Sequence, residues 1–105
     1  MSRVSGKKAL ITGGAQGLGE ATAWMLAREG AKVAVTDVNG DGADTVAAAI
    51  NAELGDGTAF AWQHDVTDGE RWKGVVQDAH DAMGGLNILV INAGIGSLGS
   101  VEDEE

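Results

Sequence analysis

The segment Thr12-Gly13-Gly14-Ala15-Gln16-Gly17-Leu18-Gly19 follows a short apolar run, Ala9-Leu10-Ile11, and leads into a helical pattern ending at Glu29. A strand, a glycine turn and a helix start, in that order, make a cradle for phosphate. Glycines at 13, 17 and 19 let the chain turn tightly, let bare backbone approach a pyrophosphate and let the helix sit close on the strand. The open amides and the dipole of the helix start favour the anion. The spacing predicts a dinucleotide ligand.

A glycine cluster says little by itself in a chain with 17 glycines, so the weight comes from its surroundings. Gly30 is placed to end the helix, Ala31-Lys32-Val33-Ala34-Val35-Thr36 reads as a second strand, and Asp37 closes it. An acid at that point accepts hydrogen bonds from both ribose hydroxyls of an adenosine and repels a 2′-phosphate. Neither Gln16 nor Asn39 offers the cation that a 2′-phosphate needs. NAD is therefore expected over NADP.

The elements that must position these residues alternate. Strands are expected near 8–12, 31–37, 58–65 and 86–92, and helices near 17–29, 41–54 and 68–83. Such alternation implies a doubly wound parallel sheet with right-handed crossovers, an α/β fold in three layers. Apolar spacing puts Leu18, Ala21, Met25 and Leu26 on the inner face of the first helix, and Ala43, Val46, Ala47, Ile50 and Leu54 on that of the second. The third helix is announced by Thr67 and Glu70, read as a capping box, and carries Trp72, Val75, Val76, Ala79 and Met83 before Gly84-Gly85 stops it. Ile88-Leu89-Val90-Ile91 is apolar on both faces and reads as an interior strand. The acidic tail from Glu102 to Glu105 suits the first turn of a helix, and Ser100 and Asp103 have capping spacing. The pattern predicts an interruption after the fourth strand, with Ile88, Val90 and their neighbours partly bare in a monomer and self-association or partial disorder as the outcome.

Composition narrows the function classes. One domain over 1–105 is expected, with an ordinary apolar share of 44%. Cysteine is absent, which removes disulfides, thiolate metal sites and cysteine nucleophiles and agrees with a reducing cytoplasm. Short apolar runs predict neither export nor a membrane span. Seven basic residues against sixteen acidic ones give a net charge of −9 and no cationic stripe, which argues against a nucleic-acid partner.

Together with Asp65-Val66 after the third strand and Asn92-Ala93-Gly94-Ile95 after the fourth, these motifs resemble the amino-terminal half of the short-chain dehydrogenases/reductases. The resemblance implies a Rossmann sheet in the order 3-2-1-4, cut short after the fourth strand. It also implies NAD-dependent interconversion of a secondary alcohol and a ketone by a homo-oligomer acting on a small molecule. The cofactor-binding residues it implies are Gly13, Gln16, Gly17, Leu18 and Gly19 at the pyrophosphate and nicotinamide side, and Asp37 with Val38 at the adenosine ribose. Asp65 and Val66 are implied to touch adenine, and Asn92, Ala93 and Gly94 to support the central sheet and flank the cofactor. Ile91 departs from the family's Asn-Asn-Ala-Gly pattern, and any polar contact of that first Asn is lost. The family's proton-handling Tyr-x-x-x-Lys has no counterpart, since the chain has no tyrosine. No catalytic residue is assigned, and the 105 residues alone are expected to be a poor catalyst.

Asp37-Val38-Asn39-Gly40-Asp41-Gly42 matches the first half of a calcium loop, but its twelfth position is Ala48, so no metal is expected. His64 and His80 lack partners at ligand spacing, and Trp24, Trp62 and Trp72 read as packing residues. Two other functions fit the same residues: a stand-alone nucleotide-binding module without chemistry, and an interaction protein that pairs through its fourth strand.

Overall fold

The structure, a computed structural model, describes residues 5–65 and 67–91. Its elements run β1 (Lys8–Thr12), α1 (Gly17–Arg28), β2 (Lys32–Asp37), α2 (Gly40–Leu54), β3 (Ala59–Gln63), α3 (Gly69–Met83) and β4 (Ile88–Val90). All pairings are parallel and the sheet order is β3-β2-β1-β4, as expected. The expectations for Val66, Asn92, Ala93 and Gly94 lie outside the described residues.

Alternation along the strands divides the core in two. Ala9 and Ile11 of β1 and Val33 and Val35 of β2 face α1 and α2, where they meet Ala23, Leu26, Val46, Ala47 and Ile50. Leu10 and Ala34 face the other way, onto Val75, Ala79 and Met83 of α3. Asn51 brackets the start of β3 from α2: its Oδ1 accepts from the Ala59 amide at 2.8 Å while its Nδ2 donates to the Ala59 carbonyl at 2.9 Å.

α1 turns a different face inward from the one expected. Gly19, Ala23, Leu26 and Ala27 are buried, whereas Leu18 and Met25 are 76% and 57% exposed. Small residues let the helix axis approach the strands, and the larger side chains are left outside. Its end is as expected: the Ala31 and Gly30 amides donate to the Leu26 and Ala27 carbonyls, both at 3.0 Å, with Gly30 at a φ of +98°. The start of α3 also differs. Its cap is Asp68, whose Oδ1 accepts from the Arg71 amide at 3.1 Å, because Thr67 is already engaged by Asp65.

Among the described residues β4 lies at the sheet edge and not in the interior. Ile88 and Val90 pack half-buried against the α1/α2 side, while Leu89 and Ile91 are 48% and 66% exposed. Ile88, Val90 and their neighbours are thus all partly bare, the neighbours the more so. Among the described residues no helix is long and apolar enough to cross a membrane.

Candidate cofactor site

The carboxyl ends of β1, β2 and β3 are tied into one rim. After β1 the chain turns through Gly13 at a φ of +62° and enters α1 through Gly17 at +60°, conformations that favour glycine. Between them the Gly14 amide donates to the Thr36 carbonyl at 2.9 Å, which fastens the turn to β2. A Cβ on Gly14 would lie 2.7 Å from Val35 Cγ1, so this glycine too is required, although the spacing argument passed over it. The doublet Gly13-Gly14 was the available signal.

Gln16 precedes α1 in an extended conformation and its side chain does not cap the helix. Helix amides beyond such an uncapped start are suited to an anion, and the dipole adds to the attraction. Gln16, Gly17 and Leu18 are exposed there, while Gly19 is buried beneath them.

Asp37 ends β2 half-buried, and both of its carboxylate oxygens are held. Oδ2 accepts from the Ala15 amide at 3.0 Å, reaching back into the glycine turn, and Oδ1 accepts from the Asn39 amide at 2.9 Å. Each oxygen keeps acceptor capacity for a further donor such as a hydroxyl. Asn39 in turn caps α2, its Oδ1 accepting from the Gly42 amide at 3.0 Å. A Cβ on Gly42 would come within 3.0 Å of Ala15 Cβ. Ala15, Asn39 and Gly42 therefore frame Asp37, and local pattern gave no sign of them because their contacts join separate loops. Residues from Gly40 onward are helical, unlike the extended loop that a calcium site of that pattern requires.

Val38 is exposed next to Asp37. Beside it lies an open cavity of about 520 Å³ between the start of α2 and β3, lined by residues that include Val38, Asn39, Asp44, Ala61, Trp62 and Gln63 and none of the glycine turn.

At the end of β3 the His64 amide donates to the Asp37 carbonyl at 2.8 Å, bringing Asp65 to the same rim. Asp65 is exposed and occupied locally: its Oδ1 accepts from the Thr67 hydroxyl at 2.7 Å and the Thr67 amide at 2.9 Å. These bonds, the hydroxyl's first, hold its carboxyl below the usual range. The His64 ring is buried and stacked on Trp72 at 4.9 Å, and among the described residues neither ring nitrogen has a hydrogen-bond partner. Desolvation lowers its pKa and the Arg71 guanidinium lowers it further, against opposition from Asp65 and Asp68. Arg71 is fixed through Nε and Nη2, which donate to the Gln63 carbonyl at 3.0 and 2.7 Å.

Comparison with known proteins agrees with the fold. Residues 7–105 match the family model for short chain dehydrogenase. The chain is similar to 2,5-dichloro-2,5-cyclohexadiene-1,4-diol dehydrogenase LinX of Sphingobium indicum, with 47% identity over 98% of this chain and 40% of that protein. It is also similar to a 3-alpha-(or 20-beta)-hydroxysteroid dehydrogenase of Mycobacterium tuberculosis, with 43% identity over 96% of this chain and 37% of that one. Among solved structures, a hydroxysteroid dehydrogenase from Escherichia coli superposes with a TM-score of 0.81 at 39% identity, covering 88% of this chain and 38% of the other. The chain thus spans about two fifths of the length of these relatives.

Proposed function

The chain belongs to the short-chain dehydrogenase family, and we propose that it is the NAD-holding portion of an oxidoreductase that interconverts a secondary alcohol and a ketone. The observation that carries this reading is the Asp37 carboxylate, held to the glycine turn by the Ala15 amide and to the start of α2 by the Asn39 amide instead of lying loose at a strand end. NAD, when bound, supplies the hydride acceptor or donor.

In this reading the backbone of Gly13, Gly17 and Gly19, with Gln16 and Leu18, holds the diphosphate and the nicotinamide side. Asp37 accepts from the ribose hydroxyls and repels a 2′-phosphate. Val38, Asp65 and Val66 bound the adenine, and Asn92, Ala93 and Gly94 flank the cofactor. The alcohol proton needs an acid/base group, whose contribution is typically about a hundredfold to ten-thousandfold. No residue of this tyrosine-free chain is given that role, and the 105 residues are proposed to bind without turnover. We further propose a cytoplasmic homo-oligomer acting on a small molecule, with nucleic acid and membrane absent from its partners. The bare Leu89 and Ile91 support self-association.

Calorimetric titration tests the cofactor reading. NAD is expected to bind at least about tenfold more tightly than NADP, the factor that one charge-assisted contact supplies. Asp37→Ala is expected to narrow that ratio. No binding of NAD at millimolar concentration overturns the proposal, and an unchanged ratio overturns the selection of NAD by Asp37.

A further inference from the structure

The carboxylate of Asp37 accepts from two backbone amides, one of them far away in the sequence. Ala15, at the centre of the phosphate-binding turn, is 22 residues away in sequence, and its amide reaches Oδ2 at 3.0 Å. The Asn39 amide at 2.9 Å ties the other oxygen to the start of α2, and the close approach of Gly42 to Ala15 shows how tightly turn and helix are drawn together. With the Gly14–Thr36 bond, the Ala15 bond fastens this turn to β2. A turn that binds a diphosphate through backbone amides depends on those amides being held in place beforehand, because ordering them on binding costs affinity.

We propose that Asp37, besides meeting the ribose, is a positioning residue for the phosphate-binding turn. The inference rests on the nucleotide reading above. Asp37 sets the aim of the turn through the Ala15 amide and so governs affinity for the diphosphate as well as choice of sugar. The two roles differ in sign when the carboxylate is removed. A carboxylate that served the ribose alone would, on removal, leave a ligand without ribose hydroxyls bound as before or more tightly, since a negative charge near a diphosphate is lost. A carboxylate that also holds the turn would, on removal, weaken that ligand.

The probe is 2′,3′-dideoxyadenosine 5′-diphosphate, compared with ADP by calorimetry on the whole chain. Asp37→Ala is expected to weaken the dideoxy compound by about tenfold. Asp37→Asn, which keeps one accepting oxygen without the charge, should recover part of that loss. A second readout needs no ligand: exchange of the Ala15 and Asn39 amides with solvent, followed by NMR, should speed up in Asp37→Ala. Unchanged or tighter binding of the dideoxy compound in Asp37→Ala overturns the positioning role, and so does unchanged exchange at Ala15. Failure of the unsubstituted chain to bind either nucleotide overturns the nucleotide reading instead, and the exchange measurement still decides whether Asp37 holds the turn.

Discussion

Asp37 and Asp65 end up at the same rim of the sheet, after neighbouring strands, yet they are spent differently. Asp37 is half-buried and reaches the glycine turn 22 residues away. Asp65 is exposed and closes a turn on Thr67, two residues on. A long-range clamp constrains where two loops stand relative to each other, and a local turn constrains only its own path. The cofactor reading should therefore depend heavily on the first carboxylate and lightly on the second.

The largest effect is expected where the clamp's geometry is attacked from the backbone. Gly14→Ala places a Cβ 2.7 Å from Val35 Cγ1, a buried side chain with little room to yield. Overpacking of this kind costs about 1–3 kcal/mol. It should also move Ala15 off Asp37, so NAD affinity is expected to fall by more than tenfold, as about 1.4 kcal/mol gives tenfold. Thermal unfolding and NAD titration check both halves. A variant with native stability and native affinity would show that the turn tolerates displacement and that the clamp matters little.

How much of this was legible follows the same division. Strand and helix alternation, the glycine turn, the Gly30 stop and the position of Asp37 are written in neighbouring residues, so periodicity and turn chemistry reached them. The inner face of α1 was misjudged because the periodicity weighted Leu18 and Met25 for their hydrophobicity, whereas close seating on the sheet selected Gly19, Ala23 and Ala27 for their size. The cap of α3 moved from Thr67 to Asp68 because Asp65 competes for Thr67, a rivalry that a capping pattern does not weigh. The contacts of Ala15, Asn39 and Gly42 around Asp37 are products of tertiary docking and leave no mark in local sequence.

A smaller effect is expected on the Asp65 side, through pH. The buried His64 ring is held below its ordinary value of 6.5, mainly by desolvation, with Arg71 adding to the shift and Asp65 and Asp68 opposing it. The unfolded chain takes up a proton before the folded one does. The stability is complete above about pH 6.5 and is lost as pH falls from there through the depressed folded value, after which this contribution levels off. Asp65, lowered from 3.8, acts in the same direction but only near and below that pH, so the two limbs separate. Urea unfolding between pH 7 and 5 should show a loss that His64→Leu lacks. An identical slope in the variant would mean that His64 is not what titrates.

The smallest effect belongs to Asp65 itself. Its Oδ1 is already shared by the Thr67 hydroxyl and amide, and α3 has an independent cap in Asp68, so removing the Asp65 side chain loosens one exposed turn and leaves the helix start in place. Exposed carboxylates of this kind contribute little to stability. Asp65→Ala is therefore expected to keep the unfolding midpoint within a few degrees and to change NAD affinity by less than about threefold, well under the tenfold set by one good charged contact. A loss as large as that of Asp37→Ala would reverse the ranking. It would mean that the Asp65 carboxylate grips the adenine as strongly as Asp37 grips the ribose and the turn, with the local turn serving to aim it.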